Sequence, residues 1–176
     1  MKQLLVLRHA KAAAESHSGN DHDRPLNEQG VEAARFMGKY LAKYAELPDL
    51  VCCSDAVRTR QTFVEMQNQL SRPLPVSYQN GLYLASTGDL LDYINAIPEA
   101  AQRVMIVGHN PGMHQLARIL CESGEPNAMD ALEYKFPTGS IAWVEFSDDV
   151  LWKQIMPNSG TLKAFWQPKV LMESEE

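Results

Sequence analysis

A histidine set just past a buried strand, with an arginine beside it, is a combination suited to phosphoryl chemistry. Neutral imidazole is a nucleophile toward phosphorus, and guanidinium forks bind phosphoryl oxygens in pairs. This 176-residue sequence carries two histidine stations at the ends of apolar runs, the first with an arginine beside it. The first is Leu4-Leu5-Val6-Leu7-Arg8-His9, an apolar run that stops in two polar residues. The second is Val104-Met105-Ile106-Val107-Gly108-His109, continued by Asn110-Pro111-Gly112. Between them, Cys52-Cys53-Ser54-Asp55-Ala56-Val57-Arg58 closes a third apolar run and delivers another arginine. Ligands of α/β proteins bind outside the carboxyl ends of the strands, so the three ends are expected to meet at one crevice. Arg8, Arg58, His9 and His109 would then surround a single anion.

The elements that must hold these residues alternate between strand and helix patterns, which implies an α/β layered fold. Residues 2–8 read as the first strand. A polar loop over 10–26 leads to Asn27, the expected N-cap of a helix reaching residue 44. Val31, Ala34, Phe36, Met37, Tyr40 and Leu41 broadly follow its apolar stripe. Leu47-Pro48-Asp49 ends that helix and introduces a strand over 50–53. A helix over 56–70 follows and puts Arg58 in its first turn, where free amides and the helix dipole favour an anion. Two prolines make 73–78 an edge strand. Ser86-Thr87-Gly88-Asp89 has the capping-box pattern for a helix to 96. Residues 103–107 form a central strand, and 111–121 a helix opened by proline. Residues 140–146 and 150–156 are expected to pair as a hairpin around Ser147-Asp148-Asp149, with a further strand at 161–166. Residues 1–170 read as a single domain, and 171–176 as a disordered acidic tail.

Composition narrows the function. An apolar fraction of 45% suits a globular core, and a net charge of −6 argues against a nucleic-acid partner. No stretch approaches the roughly 20 apolar residues that span a bilayer, and the N-terminus lacks a signal-peptide profile, so a cytosolic location and no membrane partner are expected. The three cysteines, an odd number without ligand spacing, read as small buried hydrophobes.

The three motifs, in this order, resemble the histidine phosphatase superfamily: Arg8-His9, then Ser54 with Arg58, Gln61 and Thr62, then Gly108-His109. Within it the sequence is similar to the small SixA-type phosphohistidine phosphatases. That likeness rests on Leu7-Arg8-His9-Ala10-Lys11-Ala12, on Asp23-Arg24-Pro25-Leu26-Asn27-Glu28-Gln29-Gly30, and on Gly108-His109-Asn110-Pro111-Gly112. It runs over residues 2–163. Many members carry Arg-His-Gly, and Ala10 in place of that glycine marks the SixA-like branch. The resemblance implies a three-layer α/β/α sandwich with a mostly parallel central sheet, of phosphoglycerate mutase-like type. It implies no metal or organic cofactor.

On this reading His9 attacks phosphorus, and water then hydrolyses the phosphohistidine enzyme. Arg8 and Arg58 bind the phosphoryl oxygens, His109 is a protonated donor to them, and Arg24 is a further substrate-binding candidate. Ser54 is expected either to donate to the phosphate or to cap the following helix. Arg58 has a rival reading as a surface partner of Asp55, whereas Arg60 faces solvent. Lys11 balances nearby acids, and Asp23 holds Arg24 or Lys11. The loop from His17 to Asp23 is read as solvated and not as a metal site, because its spacing is irregular.

Many superfamily members place an acidic residue shortly after the third strand to protonate the leaving oxygen. Here residues 80–88 contain none, so Asp89 is the first candidate acid. A poor alkoxide leaving group needs such an acid, whereas an imidazole does not. The expected substrate is therefore phosphohistidine in a protein. The alternatives are a small-molecule phosphomonoesterase on the same scaffold and a phosphate- or phosphopeptide-binding module without turnover. A mutase is disfavoured because the chain lacks room for long cap insertions.

Overall fold

The structure, a computed structural model, describes residues 1–175. Its centre is a seven-stranded sheet in the order β3-β2-β4-β1-β6-β7-β5. Three strands form the middle of one half: β1 (Gln3–Arg8), β2 (Leu50–Ser54) and β4 (Arg103–Gly108). They read as unbroken apolar runs because helices cover both faces of the sheet, and a parallel strand buried on both sides has no polar face to alternate with. β1 and β4 pair in parallel with Arg8 opposite Gly108, and β2 pairs with β4 with Cys53 opposite Val107. That register places the three carboxyl ends level with one another. His9, Ser54 and His109 therefore emerge on the same rim.

The expected edge strand is β3 (Val76–Gln79), parallel to β2. The other half is mixed: β6 (Ile141–Phe146) runs antiparallel to β1, and β7 (Gly160–Trp166) antiparallel to β6. β5 (Cys121–Gly124) is parallel to β7 at the far edge.

Helices α3 (Thr87–Asn95), α4 (Gly112–Leu120) and α5 (Pro126–Tyr134) cover one face, burying Leu90, Ile94, Leu116 and Leu132 against the sheet. Helices α1 (Glu28–Tyr44), α2 (Val57–Gln67) and α6 (Pro168–Ser174) cover the other, with Met37, Leu41, Phe63 and Met66 in its core. The result is the three-layer α/β/α arrangement that the sequence implies. Asn27 caps α1 by accepting from the Gly30 amide, and Ser86 caps α3 by accepting from the Asp89 amide. No helix among the described residues is long and apolar enough to cross a membrane.

Three local expectations fail. Residues 150–156 form no strand: Trp152 is fully buried, its indole N–H donates to the Ala101 carbonyl at 2.6 Å, and its segment turns as a short 3-10 helix. The antiparallel partner of β6 is β7 instead, whose alternation buries Gly160, Leu162 and Trp166. The expected acidic tail is helical as far as Ser174. Pro168 is suited to a first helical turn, and Leu171 packs against the core beneath α1, so apolar burial outweighs the charge at the chain end. β5 and α5 had no sequence counterpart.

Candidate active site

β1 delivers His9 into a loop held on three sides. The His9 amide donates to the Gly108 carbonyl, and the Gly139 amide donates to the carbonyls of Arg8 and His9. Ala10 donates its amide to Thr62 Oγ1 at 2.9 Å, and Thr62 in turn donates to the Arg58 carbonyl. Thr62 thus ties the histidine loop to the first turns of α2. His9 Nδ1 lies 2.7 Å from the Ala10 carbonyl oxygen. A carbonyl can only accept, so Nδ1 carries the hydrogen and the lone pair sits on Nε2.

Four cationic or imidazole groups join it. The ring centroids of His9 and His109 are 5.3 Å apart. Arg8 donates through Nη1 to the Phe136 carbonyl at 3.0 Å, and its buried Nε has no partner among the described residues. Arg58, in the first turn of α2, donates to the Asp21 carbonyl at 2.8 Å and to Asp21 Oδ2 at 3.0 Å. Arg24 donates to Asp21 Oδ1 at 2.9 Å and to the Ala13 carbonyl. His109 Nε2 is 2.8 Å from Ser54 Oγ, while its buried Nδ1 has no partner among the described residues. Arg8, His9, Arg24, Arg58 and His109 all line one open cavity of about 430 Å³, with Asp21, Lys11 and Thr138 on its wall.

Burial sets the electrostatics. It is the first cause that pushes the His9 imidazole down to about 4, with Arg58, Arg8 and Arg24 adding to the depression and the Ala10 bond opposing it. His109 is pushed down to about 3, again by burial first, then by His9 and Arg58. Both rings are therefore neutral at pH 7. That holds without a bound anion; the cationic His109 of the sequence reading concerns the state with a phosphoryl group in place. Asp21 is held down at about 2, first by the hydrogen bond from Tyr83, then by Arg58 and Arg24.

The structure brings together His9, Arg8, Arg58, His109 and Arg24, and leaves Asp89 outside. Asp89 is exposed in the first turn of α3, with its amide bonded to Ser86, and it does not line the cavity. Arg58 pairs with Asp21, while Asp55 bonds to His22 at 2.8 Å. Ser54 faces His109, and α2 is capped by Ala56 without a side-chain bond. Asp23 accepts from Ser18 and holds neither Arg24 nor Lys11; Lys11 donates to Gln29. Arg60 is exposed and stacks over Tyr78 at 4.2 Å.

Two site residues escaped the sequence reading. Asp21 belongs to a loop that was expected to be solvated, yet it holds both Arg24 and Arg58. Tyr83 donates to Asp21 Oδ2 at 2.5 Å and meets the His109 ring edge-on at 5.3 Å. The available signal was the position of Tyr83 within residues 80–88, the stretch without an acidic residue. Nothing in the loop sequence separated Asp21 from Asp23. Among the described residues, no group of three or more His, Cys, Asp or Glu is placed to hold a metal ion.

Neutral imidazoles and guanidinium groups gathered at the carboxyl ends of parallel strands define an α/β protein built to hold an oxyanion. Comparison with known proteins makes the class specific. The profile of the histidine phosphatase superfamily (branch 1) matches residues 4–90. A solved structure from Nakamurella multipartitia, ascribed to the SixA phosphohistidine phosphatases, has a TM-score of 0.81 at 29% identity and covers 95% of this chain and 96% of its own. Another with the same ascription, from Agrobacterium tumefaciens, has a TM-score of 0.77 at 32% identity, covering 95% and 98%. An uncharacterised protein of Mycobacterium tuberculosis is 32% identical over 165 residues, which are 93% of this chain and all of that one. The chain belongs to the histidine phosphatase superfamily.

Proposed function

We propose that this phosphatase removes the phosphoryl group of phosphohistidine in a protein, through a phosphohistidine intermediate on His9. Asp21 carries the substrate assignment. It is the carboxylate on the cavity wall, and Tyr83, Arg58 and Arg24 hold it ionised far below neutral pH. An ionised carboxylate cannot protonate a leaving alkoxide, so alkyl phosphates gain nothing from it. A phosphohistidine substrate has no such need, because its imidazole takes the required proton from solvent. The SixA ascription of the two solved relatives supports the same choice.

The chemistry follows from the tautomer of His9. Its Nε2 lone pair forms a bond to phosphorus as the P–N bond to the substrate imidazole breaks. The electron pair of that bond leaves with the substrate ring. Arg8, Arg58 and Arg24 balance the phosphoryl charge, which persists through both steps. Water then attacks the phosphorus of phospho-His9, releasing inorganic phosphate and restoring the Nε2 lone pair. One proton from the water goes to bulk solvent.

The test is a labelled phosphohistidine protein mixed with enzyme and denatured at alkaline pH. Wild type should hold alkali-stable, acid-labile label, and His9→Ala should lose both label and turnover. Label surviving in His9→Ala would move the nucleophile elsewhere. Fast turnover of alkyl phosphates with none of phosphohistidine would make the protein a small-molecule phosphomonoesterase, and binding without turnover of either would make it a binding module.

A further inference from the structure

We propose that Ser54 is a positioning residue that fixes His109 as its Nδ1–H tautomer, so that His109 presents an N–H to the phosphoryl group without taking up a proton. The inference rests on the phosphoryl-transfer reading above and deepens it.

The argument is an accounting of hydrogen atoms in a dry place. Ser54 is fully buried at the last position of β2, and His109 is 3% exposed just past the end of β4. The parallel register of these two strands brings the side chains together, with Ser54 Oγ 2.8 Å from His109 Nε2. Ser54 Oγ also accepts, at 3.4 Å, from the Ala56 amide. A serine hydroxyl has one hydrogen to give, and a neutral imidazole has one N–H and one lone pair.

With His109 neutral, two arrangements fit the 2.8 Å contact. In the first, the hydroxyl donates to Nε2, which leaves Nδ1–H as the single group without a partner. An incoming phosphoryl oxygen satisfies it. In the second, Nε2–H donates to the hydroxyl oxygen. The hydroxyl hydrogen then has no acceptor, and a bare Nδ1 lone pair is left buried without a donor, where a phosphoryl oxygen reaching it would be repelled. The first arrangement leaves one unsatisfied group and the second leaves two, and buried polar groups without partners are expensive. The anion itself widens the gap, because two lone pairs repel where a donor and an acceptor attract.

His9 and His109 are thereby set for opposite tasks by two different anchors. The Ala10 carbonyl takes the Nδ1 hydrogen of His9 and frees Nε2 to attack. Ser54 occupies Nε2 of His109 and leaves Nδ1–H to donate. Burial, with His9 and Arg58 nearby, opposes a second proton on His109 against the pull of Asp21, so a donor that is already in place is the economical one.

The measurement is the ¹⁵N spectrum of histidine-labelled full-length protein at pH 7, alone and with saturating inorganic phosphate. The His109 signals are those missing from His109→Gln. The expected result is a protonated Nδ1 and an unprotonated Nε2 on His109 in both samples. Ser54→Ala should give mixed tautomers and a kcat lower by about tenfold with a smaller change in KM, and Ser54→Thr should restore both. A wild-type His109 protonated on Nε2, or on both nitrogens with phosphate bound, overturns the proposal even if Ser54→Ala fails to fold. The spectrum needs no substrate. The expected tautomer in an enzyme that ignores phosphohistidine would therefore uphold the role of Ser54 and refute the substrate assignment.

Discussion

Two buried neutral histidines should make this protein lose stability in mild acid, and the amount can be worked out. In the unfolded chain a histidine titrates near 6.5, whereas His9 is held at about 4 and His109 at about 3. Between these values the unfolded state binds protons that the folded state refuses. Each ring thus contributes stability that is fully present above about 6.5 and is lost as pH falls toward its folded value. At pH 5 an unfolded histidine is about 97% protonated, and folded His9 only about 10%. From pH 7 to pH 5 each ring therefore costs about 2 kcal/mol, and the pair about 4 kcal/mol. With a urea slope of roughly 2 kcal/mol per molar, that is a fall of about 2 M in the unfolding midpoint. The assay is urea unfolding at pH 7 and pH 5 in phosphate-free buffer, because a bound anion would raise both pKa values. The control is the His9→Asn, His109→Asn double variant, which keeps every carboxylate and loses only the two rings. Wild type should lose about 4 kcal/mol more than the control on acidification. A decline equal in the two proteins, within about 1 kcal/mol, would refute the claim that the rings are buried uncharged.

Arg58→Ala should weaken vanadate inhibition by roughly 10–100-fold, the worth of a charge-assisted hydrogen bond, while exposed Arg60→Ala leaves it unchanged; equal inhibition of wild type and Arg58→Ala would remove that side chain from the anion site. Across phosphomonoesters, kcat/KM should rise steeply as the leaving-group pKa falls, and Asp89→Asn should stay within about twofold of wild type. A flat series together with a loss of about 100-fold in Asp89→Asn would instead make Asp89 a general acid. Gly30→Ala should destabilise the fold by roughly 1–3 kcal/mol or more, since a Cβ there would sit 2.1 Å from the Lys11 carbonyl oxygen where α1 docks under the histidine loop; an unshifted urea midpoint would contradict that packing.

The sequence by itself determined the three central parallel strands and the four residues at their rim. β1, β2 and β4 are legible because strands covered on both faces need uninterrupted apolar runs, and the polar residue that ends each run falls where a parallel register aligns the strand ends. Asn27 and Ser86 marked their helices because capping is a local contact between near neighbours in the chain. Contacts between distant segments were decided only by the tertiary structure. Asp21 and Asp23 have the same side chain two positions apart, and the 3-10 turn of their loop alone determines which one meets Arg58. Ser54 could serve α2 or His109 on chemistry alone; the spacing of β2 and β4 brings it to His109 at 2.8 Å and leaves only a long 3.4 Å contact with the Ala56 amide at the start of α2. Residues 150–156 and 160–166 compete on pattern to pair with β6, and the burial of Trp152 in the opposite core leaves β7 as the partner. The protonation of His9 and His109 lies beyond any motif, because it depends on how much water the packed layers exclude from two rings brought together across the sheet.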